Sequence, residues 1–242
     1  MNNLLPHLYL VRHGETAWSL AGRHTGRSEL PLTGQGELES RLLGERLAGA
    51  VFSHVFTSPR LRARRTCELS GLGAGATIEP DLAEWDYGDY EGKRASEIRE
   101  ERPDWDIFRD GCPGGETPAQ VSDRADRLLA RLRQLRGDIA LFTHGHFGRV
   151  LGVRWIGLPL AQARHFLLGT ASLSVLGHEH GRDEEPAIAL WGAVSGGLLD
   201  AGRRLRENEA GILKQRAIER WENEGGEIPG LPANHQGNPD AL

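Results

Sequence analysis

Apolar residues run almost unbroken from Leu8 to Val11 and stop at Arg12, His13 and Gly14, with Glu15 and Thr16 behind them. A short apolar run without alternation is the pattern of a strand covered on both faces, as in a parallel sheet. Leu38, Leu42, Leu43 and Leu47 follow at helical spacing, which predicts a helix over 33–48 with Thr33 as N-cap. Gly36 stands in the N3 place that a capping box gives to Glu or Gln. "VFSHVFTSP" predicts a second strand, and Pro59, favoured in a first helical turn, opens a helix to about residue 69.

From 71 to 115 the pattern breaks into Gly, Pro, Asp and Trp, with one short helix expected at 96–102 and stopped by Pro103. Long ordered excursions tend to be binding segments, so this one, with Trp85, Tyr87 and Tyr90 close together, is expected to form a site wall. Periodicity returns as a helix over 117–135, a buried strand in "DIALFTH", a helix in "GHFGRVLGVRWIG", and two late strands in "SLSVLGHE" and "AIALWGAV". After Asp200 the chain reads as a charged, partly amphipathic helix and then a Pro/Gly/Asn-rich end with the composition of disorder. Strand–helix alternation indicates an α/β domain over 4–197, with a tail over 198–242 and no internal repeats.

Composition narrows the classes of function. The net charge of −5 is the balance of 34 acidic and 29 basic residues, so neither nucleic acid nor an anionic membrane is indicated as a partner. Two cysteines, Cys67 and Cys112, define no disulfide framework and suit a reducing cytoplasm. The first residues lack a basic n-region and a cleavage site, and no apolar run approaches the ~20 residues of a membrane span. The expectation is a soluble cytoplasmic protein. Ile212, Leu213, Ile218 and Trp221 in the tail offer a contact for a homo-oligomer, with a solvated helix as the default.

The chemistry-bearing residues follow strands. Arg12-His13-Gly14 comes after the first, Ser58-Pro59-Arg60-Leu61-Arg62 after the second and His144-Gly145-His146 after the third. Open α/β sheets bind ligands beyond the carboxyl ends of their strands, so the three clusters are expected to meet. Arginine forks, histidines and helix starts together make an anion site, and phosphate is the best-matched anion. No G-x-S-x-G elbow or P-loop is present, and neither cysteine has a nucleophile's setting, which leaves His13 as candidate nucleophile and Glu84 as candidate acid. Each has a plainer reading. Arg12-His13-Gly14 could be a solvated turn, His144 and His146 could be turn residues or metal ligands with His13, the arginines 60, 62, 64 and 65 a wet helix face, and Glu84 and Glu91 surface carboxylates. Their joint placement at three strand ends favours a site.

Together "LVRHGET", "TSPRLRARRT", "AEWDYGDYEG", "GGET" and "FTHGH" resemble the histidine phosphatase superfamily, in the branch that holds phosphoglycerate mutases and fructose-bisphosphatase-type enzymes, over about residues 8–191. The resemblance implies a three-layer α/β/α fold around a mainly parallel sheet, no metal or other cofactor, and transfer of phosphate onto a histidine. Matched by position, it makes His13 the phosphorylated nucleophile, Arg12 and Arg62 the phosphate clamps, His144 the histidine that steadies the transferred group and Glu84 the proton donor. Arg65 is the rival clamp. Thr25 and Gly26 match a phosphate-contacting loop. Mutase-like members carry a longer middle insertion with an Arg pair and an Asn where this chain has Ser19. The chain is more similar to sedoheptulose-bisphosphatase-like phosphatases, in which Trp85, Asp86, Tyr87 and Arg149 would line the substrate. The expected activity is therefore hydrolysis of a small phosphorylated metabolite, a sugar phosphate or bisphosphate in chemical class, with mutase transfer or metal-dependent hydrolysis as the alternatives.

Overall fold

The computed structural model describes residues 5–182 and 185–194. In chain order its elements are β1 (His7–Arg12), α1 (Ala17–Leu20), α2 (Gly34–Leu47), β2 (His54–Thr57), α3 (Leu61–Leu69), β3 (Ala76–Ile78), α4 (Ala95–Glu101), α5 (Ile107–Asp110), α6 (Pro118–Leu132), β4 (Asp138–Thr143), α7 (Gly145–Trp155), β5 (Leu173–His178) and β6 (Pro186–Ala193). The strands form one sheet in the order β3-β2-β4-β1-β5-β6. Four of them run parallel, while β5 lies antiparallel to β1 and β6 antiparallel to β5.

Strand alternation divides the core between the two faces of the sheet. Leu8, Leu10, Ile139 and Leu141 point to one face and meet Val121, Leu128 and Leu132 of α6 with Val150, Leu151 and Trp155 of α7. Val11, Ala140 and Phe142 point to the other and meet Leu43 and Leu47 of α2 with Cys67 of α3. Helices thus cover both faces of a mainly parallel sheet, which is why β1 and β4 read as continuous apolar runs. Each fully buried leucine or valine contributes on the order of 1.5–3 kcal/mol, so both layers are strongly held.

Thr33 caps α2 by accepting the Gly36 N–H at 3.0 Å, as its sequence position indicates. Gly36 is required for a separate reason: a Cβ there would stand 2.1 Å from the Glu15 carbonyl oxygen, so the start of α2 packs directly on the loop leaving β1. Pro59 does not open the next helix. Arg60 is the cap of α3, because Ser58 and Pro59 form the turn that carries the Ser58 hydroxyl inward. The middle segment also holds more than one helix, with the edge strand β3 and the short α5 added to α4. Three- and four-residue elements are too short for a periodic signal. Of the aromatics expected in a site wall, Trp85 and Tyr90 pack into the core with Trp105 and Phe108. The tail over 198–242, with its expected helix and disordered end, lies outside the described residues. No helix among the described residues is long and apolar enough to cross a membrane.

Candidate active site

β1 and β4 are neighbours in the sheet, but the chain leaves β1 toward α2 on one face and β4 toward α7 on the other. That divergence opens a crevice at the carboxyl ends of the two strands. A cavity of about 260 Å³ lies there, lined by Arg12, His13, Glu84, Tyr87, His146 and Arg149 together with Ser19, Arg23, His24 and Thr25.

His13 is 4% exposed and its Nδ1 lies 2.7 Å from the Gly14 carbonyl oxygen. A carbonyl only accepts, so Nδ1 carries the proton and the lone pair is on Nε2. Burial, and after it the Arg62 and Arg12 guanidinium groups, hold His13 well below the ordinary histidine range, so the ring is neutral at neutral pH. His144 packs edge-on against it, with ring centroids 5.2 Å apart. Its Nε2 is 2.7 Å from the Ser58 hydroxyl, while its Nδ1 is buried without a partner in the protein. With Ser58 Oγ–H donating to Nε2, Nδ1–H is left as a spare donor. An unsatisfied buried donor costs roughly 1–3 kcal/mol, a cost that a bound anion would relieve.

The arginines are held at their backs. Arg12 Nη1 donates to the Leu168 carbonyl at 2.5 Å, and its guanidinium lies over Gly145, where a Cβ would come within 3.3 Å. Arg62 is fully buried on α3 and donates through Nη1 to the Ser28 carbonyl and through Nη2 to those of Thr25 and Gly26, leaving Nε unpartnered. Arg65 faces outward and pairs with Glu37 and Glu68, so of the two rivals only Arg62 is beside His13.

Three backbone N–H groups converge on the Glu84 carboxylate. Trp85 and Phe147 donate to Oε1 at 2.9 and 2.8 Å, and His146 donates to Oε2 at 3.1 Å. Two of these belong to the first turn of α7, whose free N–H groups and positive dipole end suit a carboxylate.

The remaining expected residues divide. Tyr87, Thr25 and Arg149 line the cavity. Arg149 stacks over Phe108 at 4.6 Å, donates Nε to the Ala163 carbonyl, and is pushed down to about 10 by burial first and Arg12 second. No carboxylate pairs with it among the described residues. Trp85, Asp86 and Gly26 do not line the cavity. Trp85 is fully buried in the core with its indole N–H on the Glu116 carbonyl, because strand-like alternation turns it away from Glu84. Asp86 pairs with Arg27 at 2.6 Å, and Gly26 gives its carbonyl to Arg62 and its N–H to Glu91. Glu91 is accordingly a structural acceptor for the Gly26 and Ser28 N–H groups.

His146, from the third strand-end cluster, lies in the wall as expected of that cluster, and His24 and Arg23, which sequence reasoning left without a place, join it there. Tyr87 OH lies 2.6 Å from His146 Nδ1, and His24 stacks on His146 with ring planes 7° apart. Burial first, then Arg149 and His24, keeps His146 neutral, and burial lowers His24 as well. The "HGH" triplet carried a signal for His146, since residues i and i+2 at a helix start can both face a strand-end crevice; His24 had none. The histidines of the metal-ligand reading, His13, His144 and His146, each keep one ring nitrogen on a protein group, as metal-bound histidines also do, but Arg12, Arg62 and Arg149 surround them with positive charge, which disfavours a cation there. Among the described residues no group of three or more His, Cys, Asp or Glu is arranged to hold a metal ion.

Residues 8–193 match the family described as histidine phosphatase superfamily (branch 1). An acid phosphatase of Mycobacterium tuberculosis is 44% identical over 189 residues, 76% of this chain and 93% of that protein. The sedoheptulose 1,7-bisphosphatase of Saccharomyces cerevisiae is 34% identical, covering 79% of this chain and 94% of its own. A solved structure of an open reading frame from Mycobacterium tuberculosis superposes with a TM-score of 0.72 at 43% identity, over 78% of this chain and 97% of that one.

Proposed function

Because the chain belongs to the histidine phosphatase superfamily, we propose that it hydrolyses small phosphomonoesters through a phosphohistidine formed on His13. One observation carries the reading: a buried, neutral His13 whose Nδ1 proton is committed to Gly14 offers its Nε2 lone pair beside Arg12, Arg62 and the spare N–H of His144.

In the first half-reaction Nε2 attacks phosphorus, the bond from phosphorus to the leaving oxygen breaks, and that oxygen takes a proton from Glu84. Oε2, which holds one N–H where Oε1 holds two, is the oxygen that carries this proton. The guanidinium groups and His144 Nδ1–H bind the charge spread over the equatorial oxygens. Water then attacks phosphorus, returns a proton to Glu84 and releases phosphate as the N–P bond breaks.

A volume of about 260 Å³ is at the small end for ligand pockets, which favours a metabolite over a phosphoprotein. Arg149 supplies a cation beyond those at His13, and two neutral histidines with Tyr87 supply partners for hydroxyl groups. A sugar phosphate or bisphosphate satisfies both. The names of the acid phosphatase and sedoheptulose 1,7-bisphosphatase relatives support the same class.

The test is His13→Ala, assayed with p-nitrophenyl phosphate and a panel of sugar phosphates and bisphosphates. Phosphate release is expected to vanish while circular dichroism stays unchanged, and the wild-type enzyme is expected to yield an acid-labile phosphoenzyme on rapid quench. Retained turnover in His13→Ala would refute the mechanism. Transfer of the phosphoryl group to a second hydroxyl in place of phosphate release would return the mutase alternative.

A further inference from the structure

We propose that Arg124, on α6 and outside the cavity wall, is a positioning residue for Glu84; the inference rests on the reading of Glu84 as proton donor.

Glu84 lies in a stretch without helix or strand, after the single turn Pro80–Leu82. Such a stretch has no ladder to fix it, so its orientation depends on what its carbonyls find. Every carbonyl from 81 to 84 is taken by a side chain. Arg124 Nη1 donates to the Asp81 and Ala83 oxygens at 2.8 Å each, and Nη2 reaches the Glu84 oxygen at 3.5 Å. The fourth, Leu82, accepts the Thr143 hydroxyl at 2.8 Å.

The same guanidinium acts on the other side of the carboxylate. Its Cζ lies over the Phe147 ring, 4.0 Å from the centroid, and Phe147 is the residue whose N–H holds Glu84 Oε1 at 2.8 Å. Its Nε and Nη2 bond both oxygens of Glu116 at 2.9 Å, and Glu116 Oε2 in turn accepts the Asp86 N–H. One planar group therefore grips the main chain ahead of Glu84, holds through Glu116 the N–H of Asp86 two residues behind it, and covers the ring of one of its donors. Five directed N–H groups and a flat stacking face are properties of arginine that lysine lacks.

Glu84 matters only when the leaving oxygen needs a proton. A p-nitrophenolate leaves without one, whereas a sugar alkoxide does not. Loss of the acid therefore falls selectively on alkyl esters, and a residue that acts through the acid must inherit that selectivity. General loss of folded enzyme lowers both substrates together.

The experiment compares kcat/KM for p-nitrophenyl phosphate with that for the sugar phosphate turned over fastest by the wild-type enzyme. Glu84→Gln is expected to lose roughly 10²–10³ on the sugar phosphate, the usual worth of an acid, and far less on the aryl ester. Arg124→Lys and Arg124→Met are expected to lose about tenfold or more on the sugar phosphate, within what an ångström of misplacement costs, and under threefold on the aryl ester. The Glu84→Gln/Arg124→Lys double variant is expected to be no worse on the sugar phosphate than Glu84→Gln alone. Equal losses on both substrates in the Arg124 variants, or additive losses in the double variant, overturn the inference and leave Glu84 as the acid. Equal losses in Glu84→Gln overturn the acid reading and the inference with it. Arg124→Lys keeps a cation at the Glu116 pair, and its thermal midpoint, measured alongside, gives the folded fraction if Arg124→Met does not fold.

Discussion

Gly36→Ala separates what the chain dictates locally from what the fold imposes. By helix propensity alone the change stabilises α2, since alanine is better than glycine by about 1 kcal/mol inside a helix. The structure reverses that sign. A Cβ at Gly36 would sit 2.1 Å from the Glu15 oxygen and 2.7 Å from its nitrogen. Against the 3.4 Å of ordinary contact the shortfall is 3.4 − 2.1 = 1.3 Å, and both neighbours are backbone, which cannot swing aside. Overpacking costs about 1–3 kcal/mol, and a clash this deep with backbone belongs at the upper end, so after the propensity gain net destabilisation of about 2 kcal/mol is expected. The strained loop runs directly into the site, for Glu15 follows Gly14, whose carbonyl holds His13 Nδ1. Displacement of about an ångström there is expected to lower kcat/KM by roughly 10². Gly34→Ala is the control: it lies in the same helix, is exposed, and a Cβ there meets nothing within 4 Å. It is expected to stabilise by a few tenths of a kcal/mol up to about 1 kcal/mol. Urea denaturation gives the stabilities and p-nitrophenyl phosphate turnover the activities. A Gly36→Ala enzyme as stable and active as the wild type would refute the reasoning, as would a Gly34→Ala enzyme equally impaired.

Acid should weaken the fold through its buried histidines. His13, His144 and His146 are held well below the ordinary value of 6.5, chiefly by burial, so below that pH the unfolded chain binds more protons. Their contribution is complete above pH 6.5 and is lost as pH falls toward the folded values, at up to about 1.4 kcal/mol per pH unit for each histidine. Urea midpoints at pH 7.5, 6.5 and 5.5 measure this, and a flat profile would contradict the burial argument. Ser58→Ala removes the hydroxyl 2.7 Å from His144 Nε2 and frees the ring to take the wrong tautomer. A loss of about tenfold in kcat/KM is expected, as for other removed orienting partners, together with about 1–3 kcal/mol of stability because a buried ring nitrogen loses its partner, and unchanged kinetics would show that Ser58 does not orient His144.

The central strands, the helices on either side and the three strand-end clusters were legible in the chain, because each depends on residues close together in sequence. An apolar run such as Leu8–Val11 can be satisfied only by cover on both faces, and Arg12-His13 at its end has no place in a core unless a ligand or a partner group is there. The motif resemblance extended that reading to a family and to an acid in the middle segment. Which side each residue faces was settled by tertiary contacts. Arg62 rather than Arg65 is turned inward because α3 presents that side to the loop at 25–28. Trp85 went to the core and Tyr87 to the cavity because Glu116 and Arg124 fix the twist of an otherwise irregular stretch. His24 and Arg124 gave no local sign, and Ser58, though part of the second strand-end cluster, gave none of its pairing with His144, since what each does depends on a group 69, 40 or 86 residues away in the chain. Sequence alone determined which kinds of chemical group arrive at the strand ends; only the folded chain decided which of them face one another, because that depends on contacts between segments whose spacing along the chain carries no periodic signal.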